Sequence, residues 1–323
     1  GNITVNCSGP GVFLANYNSA GQIQWVRSST SAPYATGNDI AINGSTIYMV
    51  GNFFNTITFG SVILESSHPR PPIQGFVVAY DNSGNILWGK TQISGLGQSW
   101  FYGCAADASG NVFIAGKFDS NIQLDAVSVT TSGLQDAIFI KYNSAGVVQW
   151  AKAGGGATGH EGAADIKVSY NQVYAAGFFS NISSFGAFTV APNGGGNDIF
   201  VTSLETSTGN FTSAISEGGY NSADQPFGIA ASNQRLYIAG VSGPATYGYD
   251  TLYTNSESLD ALIAAMSINS GTRSIGGRVY KDINNNNTFE WNEPVVTNHF
   301  INVSNTGGFS SNYASGYNGN YMV

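Results

Sequence analysis

The segment FVVAYDNSGNILW (Phe76 to Trp88) returns as IFIKYNSAGVVQW (Ile138 to Trp150), and an earlier copy reads VFLANYNSAGQIQW (Val12 to Trp25). Tyr17, Tyr80 and Tyr142 are 63 and 62 residues apart, and Trp25, Trp88 and Trp150 keep the same spacing. Two weaker copies follow. In FVTSLETSTGNFTSA Leu204 takes the Tyr position, and in LIAAMSINSGTRS Met266 takes it. Recurrence at a fixed interval marks a repeat architecture, in which one unit cannot cover its own apolar faces and must lean on the next copy.

A second segment alternates with the first: AINGSTIYMVGNF (Ala41 to Phe53), AADASGNVFIAGKF (Ala105 to Phe118), KVSYNQVYAAGFF (Lys167 to Phe179) and AASNQRLYIAGVS (Ala230 to Ser242). Gly51, Gly116, Gly177 and Gly240 mark its end. Both segments alternate β-branched, aromatic and small residues about a central turn, the pattern of a β-hairpin. In NSAG and DNSG an Asn or Asp opens the turn through its side chain, and Gly supplies the positive φ that ends it. Two hairpins in about 62 residues make a four-stranded sheet, and such units predict the blades of a β-propeller more readily than a solenoid, whose turns are shorter. The strands starting near Ile40, Cys104, Ile166 and Ile229 are rich in Ala and Gly and are placed innermost. The Tyr/Trp hairpin is then the outer pair, its aromatics packed as core between diverging blades.

The phase of the repeat matters. The chain opens on an outer-type hairpin with no inner hairpin before it, and Ile3 to Val5 resembles the linker strand Val127 to Val129. Residues 1–274 are therefore read as four nearly complete blades plus an N-terminal half blade. The missing strands come either from chain upstream or from another molecule.

Composition agrees with an all-β fold. Charged residues are 9% of the 323 residues, while Gly numbers 42; ordinary soluble domains carry about 25% charge. The net charge is −8 and the 11 basic residues are scattered, which argues against nucleic-acid binding and against an anionic membrane surface. No apolar run reaches the roughly 18 residues of a membrane span. No signal peptide is visible, so a targeting segment is expected to have been removed or to lie upstream. Cys7 and Cys104 form neither a disulfide framework nor a zinc site. Cys104 falls where other repeats carry Ile and is expected to be a buried thiol. For Cys7 a free thiol and a bond to another chain both stand.

Catalytic signatures are missing. His68, His160 and His299 lie in different repeats or domains, and no HExxH, GxSxG or phosphate loop occurs. His160 and Glu161 read as surface polarity in a loop. Asp224 occupies a similar loop one repeat later, which places Glu161 and Asp224 in neighbouring blades. Trp100, Phe101 and Tyr102 are placed in a loop ahead of an inner strand, as candidates for contact with a ligand such as a glycan.

Near Ile275 the repeat stops, and GGRVYKDINNNNTFEWNEP (Gly276 to Pro294) follows. Asp282, Asn284 and Asn286 occupy positions one, three and five of a calcium loop. Thr288 offers its carbonyl at seven, Glu290 stands at nine and Glu293 at twelve. Asn287 replaces the usual Gly at six, and Asn tolerates a left-handed backbone. Ca2+ is the expected ion, against the plainer reading of an Asn-rich solvated loop.

The segments DAIFIKYNSAGVVQWAK (Asp136 to Lys152) and ASGNVFIAGKF (Ala108 to Phe118) resemble the SBBP-type β-propeller repeat of secreted and surface bacterial proteins, over roughly residues 1–273. The strand-like VYKD before the calcium loop, and the tail ASGYNGNYMV (Ala314 to Val323), resemble the calcium-loaded, immunoglobulin-like B repeats of SdrD-type adhesins. These resemblances imply a bacterial cell-surface or extracellular protein and a partial immunoglobulin-like β-sandwich at 275–323, short of its usual seven strands. The expected function is non-enzymatic: a structural or adhesive repeat protein, self-associating or binding other surface proteins, as the subunit of a filament joined by strand donation. The alternative is a carbohydrate-binding propeller module of a larger secreted protein.

Overall fold

The computed structural model describes residues 11–30, 33–66, 73–95, 97–169, 171–219, 223–232 and 235–242 in full. Beyond these it describes only the strand segments 245–247, 250–252, 260–267, 276–278, 300–304, 310–314 and 320–322. Every element among them is a strand, so the fold is all-β.

The turn chemistry behaves as the sequence predicts. Asp81 Oδ1 accepts the N–H groups of Ser83 and Asn85 at 2.9 and 2.8 Å, and Gly84 closes the turn at φ 76°. These N–H groups, Asn85 foremost, hold the Asp81 carboxyl below its usual range. Asn18, Asp107 and Asn143 repeat the arrangement, with Gly21, Gly110 and Gly146 at φ 72°, 79° and 75°.

These turns organise the strands in chain order. β1 (Phe13–Tyr17) and β2 (Ile23–Ser28) form the first hairpin. β3 (Tyr34–Asn43) and β4 (Thr46–Phe54) follow, then the small hairpin β5 (Thr56–Phe59) and β6 (Val62–Glu65), then β7 (Ile73–Asp81) and β8 (Ile86–Thr91). The main sheet has the order β3-β4-β7-β8. After the short β9 (Ser94–Gly95), the plan repeats with β10 (Ser99–Ala106) and β11 (Val112–Phe118), the small hairpin β12 (Asn121–Leu124) and β13 (Val127–Thr130), and β14 (Asp136–Tyr142) with β15 (Val148–Gly154). The third copy comprises β16 (Gly162–Ser169), β17 (Gln172–Phe179), β18 (Ser183–Phe185), β19 (Phe188–Val190), β20 (Asp198–Glu205) and β21 (Phe211–Glu217). The fourth comprises β22 (Gln225–Ala231), β23 (Arg235–Ser242), β24 (Ala245–Tyr247), β25 (Asp250–Leu252) and β26 (Asp260–Ser267). The main sheets are antiparallel meanders, β10-β11-β14-β15, β16-β17-β20-β21 and β22-β23-β26. Last come β27 (Gly276–Arg278), paired with β30 (Asn320–Met322), and β28 (Phe300–Ser304), paired with β29 (Ser310–Ala314).

Consecutive sheets pack face to face. Tyr48, Val50, Val77 and Ala79 of the first sheet share a core with Cys104, Val112, Ile114 and Ile140 of the second. Phe113, Phe139 and Trp150 of the second meet Ile166, Val173 and Phe200 of the third. Val201 of the third meets Ile229 and Ile238 of the fourth. The second and third strands of the first three four-stranded sheets are thus covered on both faces, which is why FVVAY and IFIKY are nearly unbroken apolar runs. Each wholly buried Phe or Val contributes roughly 1.5–3 kcal/mol.

The Ala- and Gly-rich strands β3, β10, β16 and β22 lie against one another in succession. Each carries a register shift near its middle, at Gly37/Asp39, Phe101/Gly103, Ala163/Asp165 and Pro226/Gly228. The aspartate beside the shift binds the next sheet: Asp39 Oδ2 accepts Cys104 N–H at 2.9 Å, and Asp165 Oδ2 accepts Ile229 N–H at 2.9 Å. Cys104 is buried and free, as expected, and burial pushes its thiol well up.

Candidate functional site

The tryptophans of the repeat act on the following copy. Trp25 Nε1 donates to Asn82 O at 2.9 Å, Trp88 Nε1 to Ser144 O at 2.9 Å, and Trp150 Nε1 to Thr206 O at 3.2 Å. Each acceptor lies in the outer-hairpin turn one repeat on. The indole covers the glycine of that turn: a Cβ at Gly84, Gly146 or Gly209 would lie 2.9, 2.7 or 2.6 Å from the ring. Arg27 and Lys141 reinforce the first and third latches by donating to Gly84 O and Thr206 O, at 2.7 and 2.9 Å. Tyr80 and Tyr142 are core between sheets, as the repeat predicts, while Tyr17 is exposed; Trp150 is buried and Trp25 and Trp88 pack half-buried against the cores. Their glycine partners escaped sequence reading, although a Gly recurs in every turn that follows a Trp by one repeat.

Gly21 occupies the same position in the first hairpin, yet nothing lies within 4 Å of its added Cβ. The strand beside it is also open. In the complete sheets the third strand pairs with the second, β7 with β4, β14 with β11 and β20 with β17. β1 corresponds to that third strand and, among the described residues, pairs with β2 alone. Phe13 is 70% exposed and Tyr17 60%, whereas their counterparts Phe76 and Tyr80 are 0% and 3% exposed. The other face of β1 is occupied: Val12 and Leu14 share a core with Ile47, Met49 and Val78. Ile40 on β3 is 52% exposed, while Cys104, Ile166 and Ile229 are buried. Each of those three belongs to a strand that lies against the equivalent strand of an earlier sheet, and β3 has no such strand before it among the described residues. Phe13, Tyr17 and Ile40 therefore mark one unmatched end of the array.

The aromatic trio is placed differently from the sequence reading. Trp100, Phe101 and Tyr102 lie within β10, not in a loop. Phe101 is wholly buried. Its ring fills the space over Gly75, where an added Cβ would lie 2.4 Å away, and its N–H donates to Asn52 Oδ1 at 2.8 Å. Trp100 and Tyr102 are half-buried. Lys117 Nζ stands 4.8 Å over the Trp100 ring, which occupies one face of the only indole proposed for ligand contact. Burial pushes the Tyr102 hydroxyl up to about 12.

The acidic loops also differ from expectation. Glu161 and Asp224 are wholly buried rather than surface residues, and each faces an aspartate of the preceding sheet instead of the other. The loops carrying them fold back onto the start of a third strand: Glu161 N–H donates to Gln135 O at 3.0 Å, and Asp224 N–H to Asn197 O at 2.6 Å. His160 is exposed. Cys7, His68, His299 and the calcium-loop residues Asp282, Asn284, Asn286, Thr288, Glu290 and Glu293 lie outside the described residues. No known protein-family model matches the chain, and no curated protein matches it.

Proposed function

We propose that this chain is a non-enzymatic extracellular structural or adhesive repeat protein. Its four-stranded sheets are blades of a β-propeller within residues 1–274, and residues 275–323 belong to an immunoglobulin-like domain that carries one Ca2+ on Asp282, Asn284, Asn286, Thr288, Glu290 and Glu293. The chain joins its neighbours by strand donation. The observation that carries this reading is the β1 strand, where Phe13 and Tyr17 lie open at positions that the next three copies bury. A donated strand that fits must bring a small residue opposite Phe13, because Gly51, Gly116 and Gly177 stand opposite Phe76, Ile138 and Phe200. A tryptophan above Gly21 would complete the match.

Apolar sheet edges of this kind pair with other chains unless they are charged or covered. Electron microscopy and sedimentation of the purified chain are expected to show ordered fibres or oligomers. Replacing Phe13 and Tyr17 together by Lys is expected to leave the later sheets folded and abolish assembly. Monomers from the parent chain, or undiminished assembly of the double variant, overturn the reading.

A further inference from the structure

The junction between one sheet and the next recurs along the chain with one change of chemistry. At the first junction the buried polar groups are neutral. Thr91 Oγ1 donates to Gln74 Oε1 at 3.3 Å, Ser99 Oγ to Gln92 Oε1 at 2.7 Å, and Gln92 Nε2 to Gly97 O at 2.7 Å. One and two repeats later the place of Gln74 is taken by Asp136 and Asp198, both wholly buried. One oxygen of each accepts a backbone N–H, from Ser132 and Asn193 respectively. The other oxygen, Oδ1 in both, is buried without a hydrogen-bond partner.

Each orphaned oxygen faces a second buried acid across a glycine. A Cβ at Gly155 would lie 2.4 Å from Asp136 Oδ1 and 2.9 Å from Glu161 Oε2. A Cβ at Gly218 would lie 2.6 Å from Asp198 Oδ1 and 2.8 Å from Asp224 Oδ2. The facing acids are held alike. Glu161 accepts from Gly156 N–H at 3.3 Å and Ser183 Oγ at 3.0 Å. Asp224 accepts from Gly219 N–H at 2.9 Å and Ser242 Oγ at 2.6 Å.

Among the described residues, the charged groups near Asp136, Glu161 and Asp198 are engaged elsewhere. Lys117 on β11 spends its ammonium on Gln135 Oε1 at 3.2 Å and on the Trp100 ring. Asp119 binds the Gln98 N–H, and His160 is exposed beside Glu161. Glu217 on β21 directly precedes Gly218. Among the described residues Asp136, Glu161 and Asp198 form no ion pair. With both oxygens of a pair within 3 Å of one point, double ionisation of the two buried carboxylates is disfavoured, and a proton on one relieves the repulsion and offers a donor to the other.

We propose that each pair, Asp136 with Glu161 and Asp198 with Asp224, binds one proton between its carboxyls, and that the proton clasps consecutive sheets together. Burial chiefly, with the facing acid adding to it, carries the Glu161 carboxyl from its ordinary 4.5 up to about 7 and that of Asp198 from 3.8 up to about 6. Folded chain therefore takes up protons at a pH where unfolded chain does not. The added stability is full below the ordinary carboxylate range and is lost as pH rises through about 6 to 7.

The test is thermal melting, with chelator present throughout, at about pH 5 and about pH 8. The parent chain is expected to melt several degrees higher at the acid end. In the double variant Glu161→Gln/Asp224→Asn each amide supplies the donor permanently, so most of that difference should vanish. The single variants should each remove part of it, which keeps the test open if the double variant folds poorly. Infrared spectra of the parent near pH 6 should show the carbonyl band of a protonated carboxyl, diminished in the variants. A parent melting temperature that is flat or falls on acidification, a slope unchanged in the variants, or absence of the band overturns the proposal. So does a rise on adding calcium without chelator near pH 8 that reproduces the acid melting temperature in the parent and is lost in the double variant, because the pairs would then hold a cation.

Discussion

Gly21, Gly84, Gly146 and Gly209 look interchangeable in the sequence, yet they sit in two different environments. All four are left-handed, at φ between 69° and 76°, so any side chain there costs about 1 kcal/mol in backbone strain. Only the last three lie beneath an indole. Gly146→Ala should therefore cost more than Gly21→Ala: about 2–4 kcal/mol against about 1, because the methyl must also displace the Trp88 ring. Chemical denaturation of the two variants checks this, and equal losses would mean that the latch carries no stability. The buried acids teach a similar lesson. Asp136 and Asp198 recur at a fixed spacing inside apolar strands, which was a signal that they are buried. Glu161 looked like loop polarity because nothing in GGGATGHEGAAD shows that the loop folds back onto the preceding sheet.

At the scale of the element, the hairpins were legible and their insertions were not. The Tyr/Trp hairpins appear where the Tyr and Trp positions place them. Of the smaller hairpins β5–β6, β12–β13 and β18–β19 the sequence reading finds only the linker strand Val127 to Val129, although TFGSV, LDAVS and FGAFT each carry a two-residue turn. The first turn residue is left-handed in each: Gly60, Asp125 and Gly186 at φ 58°, 47° and 61°. Their strands are three or four residues long, too short for a periodic pattern to stand out. The misplaced trio has a related cause: Gly103 and the register shift beside it imitate a loop inside β10. Backbone amides of β1 should exchange with solvent much faster than those of β7 and β14 in dispersed chains, and should become protected on assembly. Protection of β1 at a concentration where the chain is monomeric would mean that its edge is already paired.

For the molecule as a whole, each sheet borrows its neighbour's surface, and stability runs through apolar contact rather than charge. If the loop at Asp282 to Glu293 binds calcium, a chelator should lower the melting temperature of the parent, and Asp282→Ala should lower it in calcium to the same value. Saturation a hundredfold above Kd is worth about 2.7 kcal/mol, so the shift is readily measured. Identical melting curves with and without chelator would refute the site. By itself the sequence determined the all-β class, the repeat length, the turn chemistry and the burial of Tyr80, Tyr142 and Trp150, because these depend on local alternation and on residues with special backbone freedom. Only the tertiary structure decided which glycine Trp25, Trp88 and Trp150 cover, that Phe101 is core, that β1 pairs with β2 alone among the described residues, and that Glu161 faces Asp136. Those contacts join residues that lie apart along the chain, and no local pattern records which surface a neighbouring sheet will supply.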